Sequence, residues 1–297
     1  MSSRDIEIRP LRDPAEFRAC QEVQRRAWGI AEDGYLVPVA TLAAVAAYGG
    51  LVLGALDRSA EGERMVGFAF AFRGVLDDLP VLYSQLTGVL PDVQGGGVGR
   101  RIKAAQRAWA RAHGLPAVVW AFDPLQAMNA HYNLNVLGAH VAHYHPDFYG
   151  PRADALNAGL PTDRLIAVWP TGDAENALNL SVPLAPHALR GATGDPDSLA
   201  GSRELLHPLL ASVEGMDGGR DPDPRPFVPA MAAAECLSIE IPADVRTLRE
   251  QPARVAAWQG AVRVTFAHAF GAGYVGTEFR RGERPCYILT RLDRKER

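Results

Sequence analysis

The apolar positions in the first half of the chain change period several times, and each change marks an element. Ile6–Leu11 (IEIRPL) alternates apolar and polar residues, as a strand with one covered face does. Asp13-Pro14 then opens a helix, aspartate at the cap and proline in the first turn, running to about Trp28. Pro38–Tyr48 is a second, Ala-rich helix, again with a proline at its first turn. Leu51–Leu56, Met65–Phe72 and Val81–Val89 are three consecutive strands separated by polar, glycine-containing turns. After a glycine cluster, the run RRIKAAQRAWARAHG has helical spacing, and Ala117–Ala121 is a buried strand. Ala127–Leu137 is a short helix ending at Gly138, and His140–Phe148 is a strand. The predicted order is β-α-α-β-β-β-α-β-α-β.

Beyond Trp169 the pattern is lost. Residues 171–235 are rich in Pro, Gly, Asp and Ala and are expected to form a connector with one or two short helices. Order returns with a strand at Cys236–Ile241, a helical stretch from Pro242-Ala243-Asp244 to about Phe270, and strands at Tyr274–Arg280 and Pro285–Leu292. Four elements make a poor independent core. The expected organisation is therefore a domain over 1–172, a connector over 173–235, and a βαββ extension over 236–297 that packs on the first domain.

The glycine cluster Pro91-Asp92-Val93-Gln94-Gly95-Gly96-Gly97-Val98-Gly99-Arg100-Arg101 lies between a strand and a helix. The first N–H groups of a helix lack intrahelical partners and sit at the positive end of its dipole. Glycines let the backbone turn there and remove the Cβ atoms that would hold an anion away. Arg100 and Arg101 add charge where a diphosphate would lie. A Walker loop is excluded, because Gly-Arg-Arg stands where Gly-Lys-Ser/Thr is needed. The dinucleotide fingerprint fails on spacing: begun at Gly95, it needs a glycine where Arg100 stands. Asp123 does close the next strand as that pattern asks, but four strand-like runs precede the loop.

Gln94-Gly95-Gly96-Gly97-Val98-Gly99 reads instead as Gln/Arg-x-x-Gly-x-Gly. With the order of elements on either side, roughly residues 5–170 resemble the GNAT superfamily of acyl-CoA-dependent N-acyltransferases. The fold this implies is α/β (α+β), with a mixed, mostly antiparallel central sheet flanked by helices. The cofactor implied is acetyl-CoA or another acyl-CoA such as succinyl-CoA, and the acceptor a small-molecule amine that attacks directly in a ternary complex. In such a fold the last strand before the loop splays from the strand after the helix, and the pantetheine arm lies in the gap. It would bond to the backbone of Thr87, Gly88 and Val89. The pyrophosphate would lie over Gln94 to Arg100, on the Gln94 side chain and the amides of Gly95, Gly97, Val98 and Gly99, with Gly96 in the same turn. Asn129 would contact the pantetheine. A tyrosine four residues before Gly138 is common in relatives and protonates the departing thiolate; here Leu134 occupies that place, and Tyr132 lies well round the helix from it.

The strings WAFDPLQAMNAHYNLNVLGA and HPDFYGPRADALNAGLPTDRLIAVW resemble a GNAT subgroup with a comparable C-terminal extension, some of whose members resemble N-succinyltransferases of amino acids. That pattern puts Asn157, Gly159, Asp163 and Arg164 near the acceptor. Arg164 could bind a carboxylate in two-point fashion; equally, Asp163 and Arg164 could pair with each other. Candidate general bases are His143, His145 and Asp123, the last also a natural cap for the following helix. Period two puts His143 and His145 on one strand face and His140 on the other. No metal site is therefore expected from H-x-x-H-x-H. Tyr144, Tyr149 and Trp120 read as core or pocket wall, and Glu22, Glu32 and Asp33 as solvated.

The formal charge of −3 over 297 residues argues against nucleic acid as the main partner. No run of about 18 apolar residues stands out, so no membrane partner is expected. Cys20, Cys236 and Cys286 are an odd, widely spaced set, pointing to a cytoplasmic protein without a disulfide framework. A homodimer is left open. Lys103 and Lys295 are the only lysines, which reads as base composition. The favoured function is N-acyl transfer. Its rivals are a non-catalytic CoA-binding module of the same fold and a glycine-loop nucleotide binder unrelated to CoA.

Overall fold

A computed structural model describes residues 5–59, 62–150, 161–172, 206–215, 219–225, 234–248 and 250–291. The chain forms two compact units: Met1–Trp120 with Pro170–Gly172, and Ala121–Trp169 with Asp173–Arg297. The chain leaves the first unit after Trp120 and returns to it at Pro170–Gly172.

The first unit begins with β1 (Ile6–Pro10) and α1 (Pro14–Trp28). The start of α1 is fixed by a capping box. Asp13 accepts from the Ala15 amide, and Glu16 accepts from the amides of Arg12 and Asp13. Gly29, left-handed at φ 63°, closes the helix. Then come α2 (Val39–Ala47), β2 (Leu51–Asp57), β3 (Arg64–Leu76), β4 (Leu79–Val89), α3 (Val98–Ala112) and β5 (Ala117–Phe122). Strands β1 to β4 pair antiparallel in sequence order, and β5 joins β4 in parallel.

Neighbouring positions on β3 show how the layers lie. A side chain at Gly67 would meet Ile102 of α3, whereas one at Gly88, paired with Phe68, would meet Trp28 of α1. Because adjacent strand residues face opposite ways, α1 and α3 cover opposite faces of this sheet. The expected elements of this unit are all present, β3 and β4 being longer than their apolar runs because their ends form an exposed hairpin over Asp77 and Asp78.

In the second unit α4 (Ala127–His131) passes into a π-helical turn over Tyr132–Val136, followed by β6 (His140–His145) and β7 (Arg164–Pro170). Strand β7 has no counterpart among the expected elements, because it carries no alternation: Leu165 to Trp169 are all buried. Two further strands, β8 (Leu206–Glu214) and β9 (Arg220–Pro224), lie where a connector with short helices was expected. The unit ends with β10 (Cys236–Glu240), α5 (Val245–Leu248), α6 (Pro252–Gly271), β11 (Tyr274–Arg280) and β12 (Cys286–Arg291). The strand order is β7-β6-β11-β12-β10-β8-β9. The C-terminal segment thus joins β6 edge to edge, through Gly276 opposite Val141, where any side chain at Gly276 would collide with the Val141 side chain. Its core is Trp258, Val262, Phe266 and Ala269 along α6, with Phe279 and Tyr287 edge-on to one another.

No single helix among the described residues is long and apolar enough to cross a membrane.

Candidate donor site and histidine strand

The loop after β4 is pinned from below and open above. Leu90 and Val93 are buried anchors, and a short 3₁₀ turn spans Pro91–Val93. Asp92 pairs with Arg64, whose guanidinium holds its carboxyl below the usual range. Gly95 and Gly97 take φ of 82° and 78°, where L side chains are strained, and a Cβ at either would meet nothing within 4 Å. Gly97 caps α3 with no side-chain bond. Among the described residues the amides of Gly97, Val98, Gly99 and Arg100 find no acceptor. Among the described residues four unpaired donors thus gather at the positive end of a 15-residue helix.

Two side chains differ from expectation. The Gln94 amide donates to the Val89 carbonyl at 3.0 Å, bracing the turn on the end of β4. Arg101 donates to the Ile6 carbonyl, whereas Arg100 beside it is also exposed.

Strand β4 prepares the adjoining surface. It pairs with β5 only at Leu82–Val118 and Tyr83–Val119, and beyond Tyr83 its outer edge is unpaired by β5. On its other side the register with β3 shifts, leaving Gln85 as the extra residue of a bulge. Thr87, Gly88 and Val89 lie on the stretch that β5 does not cover. The Thr87 hydroxyl is buried without a hydrogen-bond partner.

The remaining candidates belong to the second unit. Asn129 is exposed on α4. Asp123 accepts from the Leu125 amide at 2.9 Å, so it caps its own turn. Leu134 is 2% exposed and lies 4.0 Å from the Cβ position of Gly276, an apolar filler in the place where the resemblance calls for a tyrosine. The helix there is not α: Leu137 donates to Tyr132 five residues back, a wider turn than the 3.6-residue spacing used to place Tyr132.

Asp163 is not free to meet a substrate. Its side chain is wholly buried and accepts from Tyr144 at 2.6 Å, the Asp147 amide at 3.0 Å, and Arg263 of α6 at 2.9 and 2.7 Å. The burial of Tyr144 itself, and then its bond to Asp163, push the tyrosine hydroxyl far above its ordinary value. Arg164 does not form the alternative side-chain pair with Asp163. It donates to the Asp163 carbonyl and stacks near the Tyr149 ring at 5.1 Å. Asn157 and Gly159 lie outside the described residues.

The histidines correct a geometric expectation. His140, His143 and His145 stand opposite Val168, Ile166 and Arg164, alternate residues of β7, because a bulge at Ala142 shifts the register. All three therefore share a face, where strict period two separates them. Still, no group of three metal-ligating side chains forms among the described residues. His140 is 5% exposed with neither ring nitrogen hydrogen-bonded, and burial, with His143 nearby, lowers its pKa to about 4. His145 is more accessible and its pKa is also lowered, first by burial and then by His143.

The His140 geometry has a measurable consequence. Its folded pKa lies below the ordinary 6.5, so between about pH 6.5 and 4 the unfolded chain binds more protons. Stability from this residue is lost as pH falls through that window. His140→Leu should remove up to about 3 kcal/mol of that acid loss, read as a flatter stability-versus-pH curve in urea denaturation. Parallel curves for the two proteins would refute it.

A cleft of about 290 Å³ beside β10, α5 and α6 is lined by groups already engaged, with Arg254 on Asp221, Arg284 on Glu240 and Arg220 on Ser212.

No protein-family model matches the chain, and no curated protein does. Solved structures similar to it include the ribosomal-protein-S18-alanine N-acetyltransferase of Escherichia coli, at 19% identity over 56% of this chain and 94% of that one, TM-score 0.44. Another is Arabidopsis thaliana NAA60 in complex with acetyl-CoA, at 13% identity over 56% and 99%, TM-score 0.44. An aminoglycoside acetyltransferase from an uncultured soil metagenomic sample, in complex with sisomicin, gives 16% over 42% and 82%, TM-score 0.36. The chain's own elements run in the order β1-α1-α2-β2-β3-β4-α3-β5-α4-β6-β7, with a parallel β4–β5 step and a glycine loop opening α3, which is the order of elements that the resemblance to the GNAT fold implies.

Proposed function

We propose that the chain is a GNAT-superfamily N-acyltransferase that takes an acetyl or succinyl group from an acyl-CoA and transfers it to a small amine, an amino acid or relative. The observation that carries this reading is the juxtaposition within one unit of four unpartnered amides at the start of α3 and a β4 edge that β5 leaves open. The residues fit the group. Gly95 to Arg100 would hold the pyrophosphate and Thr87 to Val89 the pantetheine. When bound, the cofactor supplies an activated acyl carbonyl.

The chain's own part is to bind and orient. Well-oriented reactants gain of order 7–11 kcal/mol without an obligatory side chain. We assign proton removal from the amine to His145 or His143. His145 is reachable by solvent, and its lowered pKa keeps it unprotonated near neutral pH, as a base must be. Asp123, committed to the Leu125 amide, is the weaker base. Arg164 remains our candidate for a carboxylate on acceptor or acyl group, whereas Asp163 serves the fold. The free cysteines fit a cytoplasmic setting.

A second reading, a non-catalytic CoA-binding module, is favoured by Leu134, which puts a buried apolar side chain where a general acid is expected. Thiol release from acetyl- and succinyl-CoA across a panel of amino acids and small amines separates the two. Turnover with any acceptor supports transfer. Acyl-CoA binding without thiol release across the panel supports the module.

A further inference from the structure

Lys103 is one of two lysines in the chain and sits on the covered face of α3, with Val98, Ile102, Gln106 and Ala110. It is 7% exposed. Its ammonium donates to the Ser84 hydroxyl at 3.0 Å and lies 3.9 Å from the centre of the Trp120 ring. Gln106 bonds the same hydroxyl at 3.0 Å. Burial lowers the lysine pKa to about 7, with no carboxylate offsetting it. The indole face, a favourable site for a cation, works against that lowering.

The place matters more than the burial. The β4–β5 ladder runs through Leu82–Val118 and Tyr83–Val119 and then stops. Continued by one residue, it would pair Ser84 with Trp120. Those are the two residues the Lys103 head group contacts. A lysine is an expensive choice for filling an apolar gap, so its presence calls for a role that a leucine would not fill.

We infer that Lys103 is a positioning residue, a wedge that engages Ser84 and Trp120 where the ladder would otherwise zip and so keeps the β4 edge open for an extended ligand arm. The role of that edge rests on the acyl-CoA reading; the wedge itself does not. Lys103 does not touch the loop amides, so it should govern the arm and not the nucleotide end of the cofactor.

The test uses the full chain, with Lys103→Ala to remove the wedge and Lys103→Met to keep its bulk without its charge and donor. Amide hydrogen exchange of the ligand-free proteins is followed at residues 84–87, with calorimetric titration of acetyl-CoA and of adenosine 3′,5′-bisphosphate, which carries the phosphates but no arm. In Lys103→Ala, exchange at 84–87 should slow at least fivefold as the ladder extends. Acetyl-CoA affinity should fall at least tenfold in both variants while the bisphosphate stays within twofold of wild type. If Lys103→Ala does not fold, the affinity split in Lys103→Met decides. Unchanged or faster exchange in folded Lys103→Ala, or equal losses for the two ligands, would overturn the wedge. Should the wild type bind neither ligand, the acyl-CoA reading fails and the exchange rates alone decide.

Discussion

Gly97→Glu should lower acyl-CoA affinity at least 100-fold and leave the protein folded. The position is left-handed at φ 78°, and its missing Cβ faces open space. A glutamate there sends its side chain into the volume that a phosphate needs, and its charge repels the anion that the helix start would attract. The expected loss corresponds to at least about 2.7 kcal/mol of binding. The backbone strain of an L-residue in this region is roughly 1–2 kcal/mol, tolerable for a domain holding about 5–15. Titration calorimetry with circular dichroism as the folding control reads both. An affinity within threefold of wild type would remove the loop from the donor site.

The second large effect concerns stability. Asp163→Ala should cost about 3 kcal/mol, because it strips partners from Tyr144, the Asp147 amide and both guanidinium bonds of Arg263 at once. Removing one member of a buried ion pair is typically worth about 3–5 kcal/mol, and the lower end applies because Arg263 is 37% exposed and can turn to water. Urea denaturation measures it. The double variant with Arg263→Ala should lose less than the sum of the single losses. A loss below about 1 kcal/mol, accompanied by a raised KM for the acceptor, would return Asp163 to the substrate side, where the sequence pattern alone had put it.

The parts of the fold that were legible in the sequence are those whose cause is local. Asp13 and Glu16 form their capping box within four residues, and the glycine loop declares itself by composition between a strand and a helix. What escaped depends on partners far along the chain. The bulge at Ala142 puts His140 on the same face as His143 and His145, and no periodicity in HVAHYH announces it, since the shift exists only relative to β7. Strand β7 itself is covered on both faces and so shows no alternation. Asp163 looked like a neighbour of Arg164, whereas its partner Arg263 is 100 residues away. A signal for Lys103 was present: a lysine on the apolar stripe of α3 in a chain nearly devoid of lysine. Composition alone does not distinguish it, because its meaning lies in where β4 and β5 part. The π turn at Tyr132–Val136 likewise alters which side chains share a face.

The central claim is that the loop and the open β4 edge together receive an acyl-CoA. It is tested most directly by titrating the wild-type protein with acetyl-CoA, succinyl-CoA, CoA and ATP, with amide exchange across residues 84–100 in each complex. Binding of at least one CoA species, with protection at both Thr87–Val89 and Gly95–Arg100 and no comparable response to ATP, is the predicted result. Binding of ATP but of no CoA species, or CoA binding that leaves both segments unprotected, would contradict it.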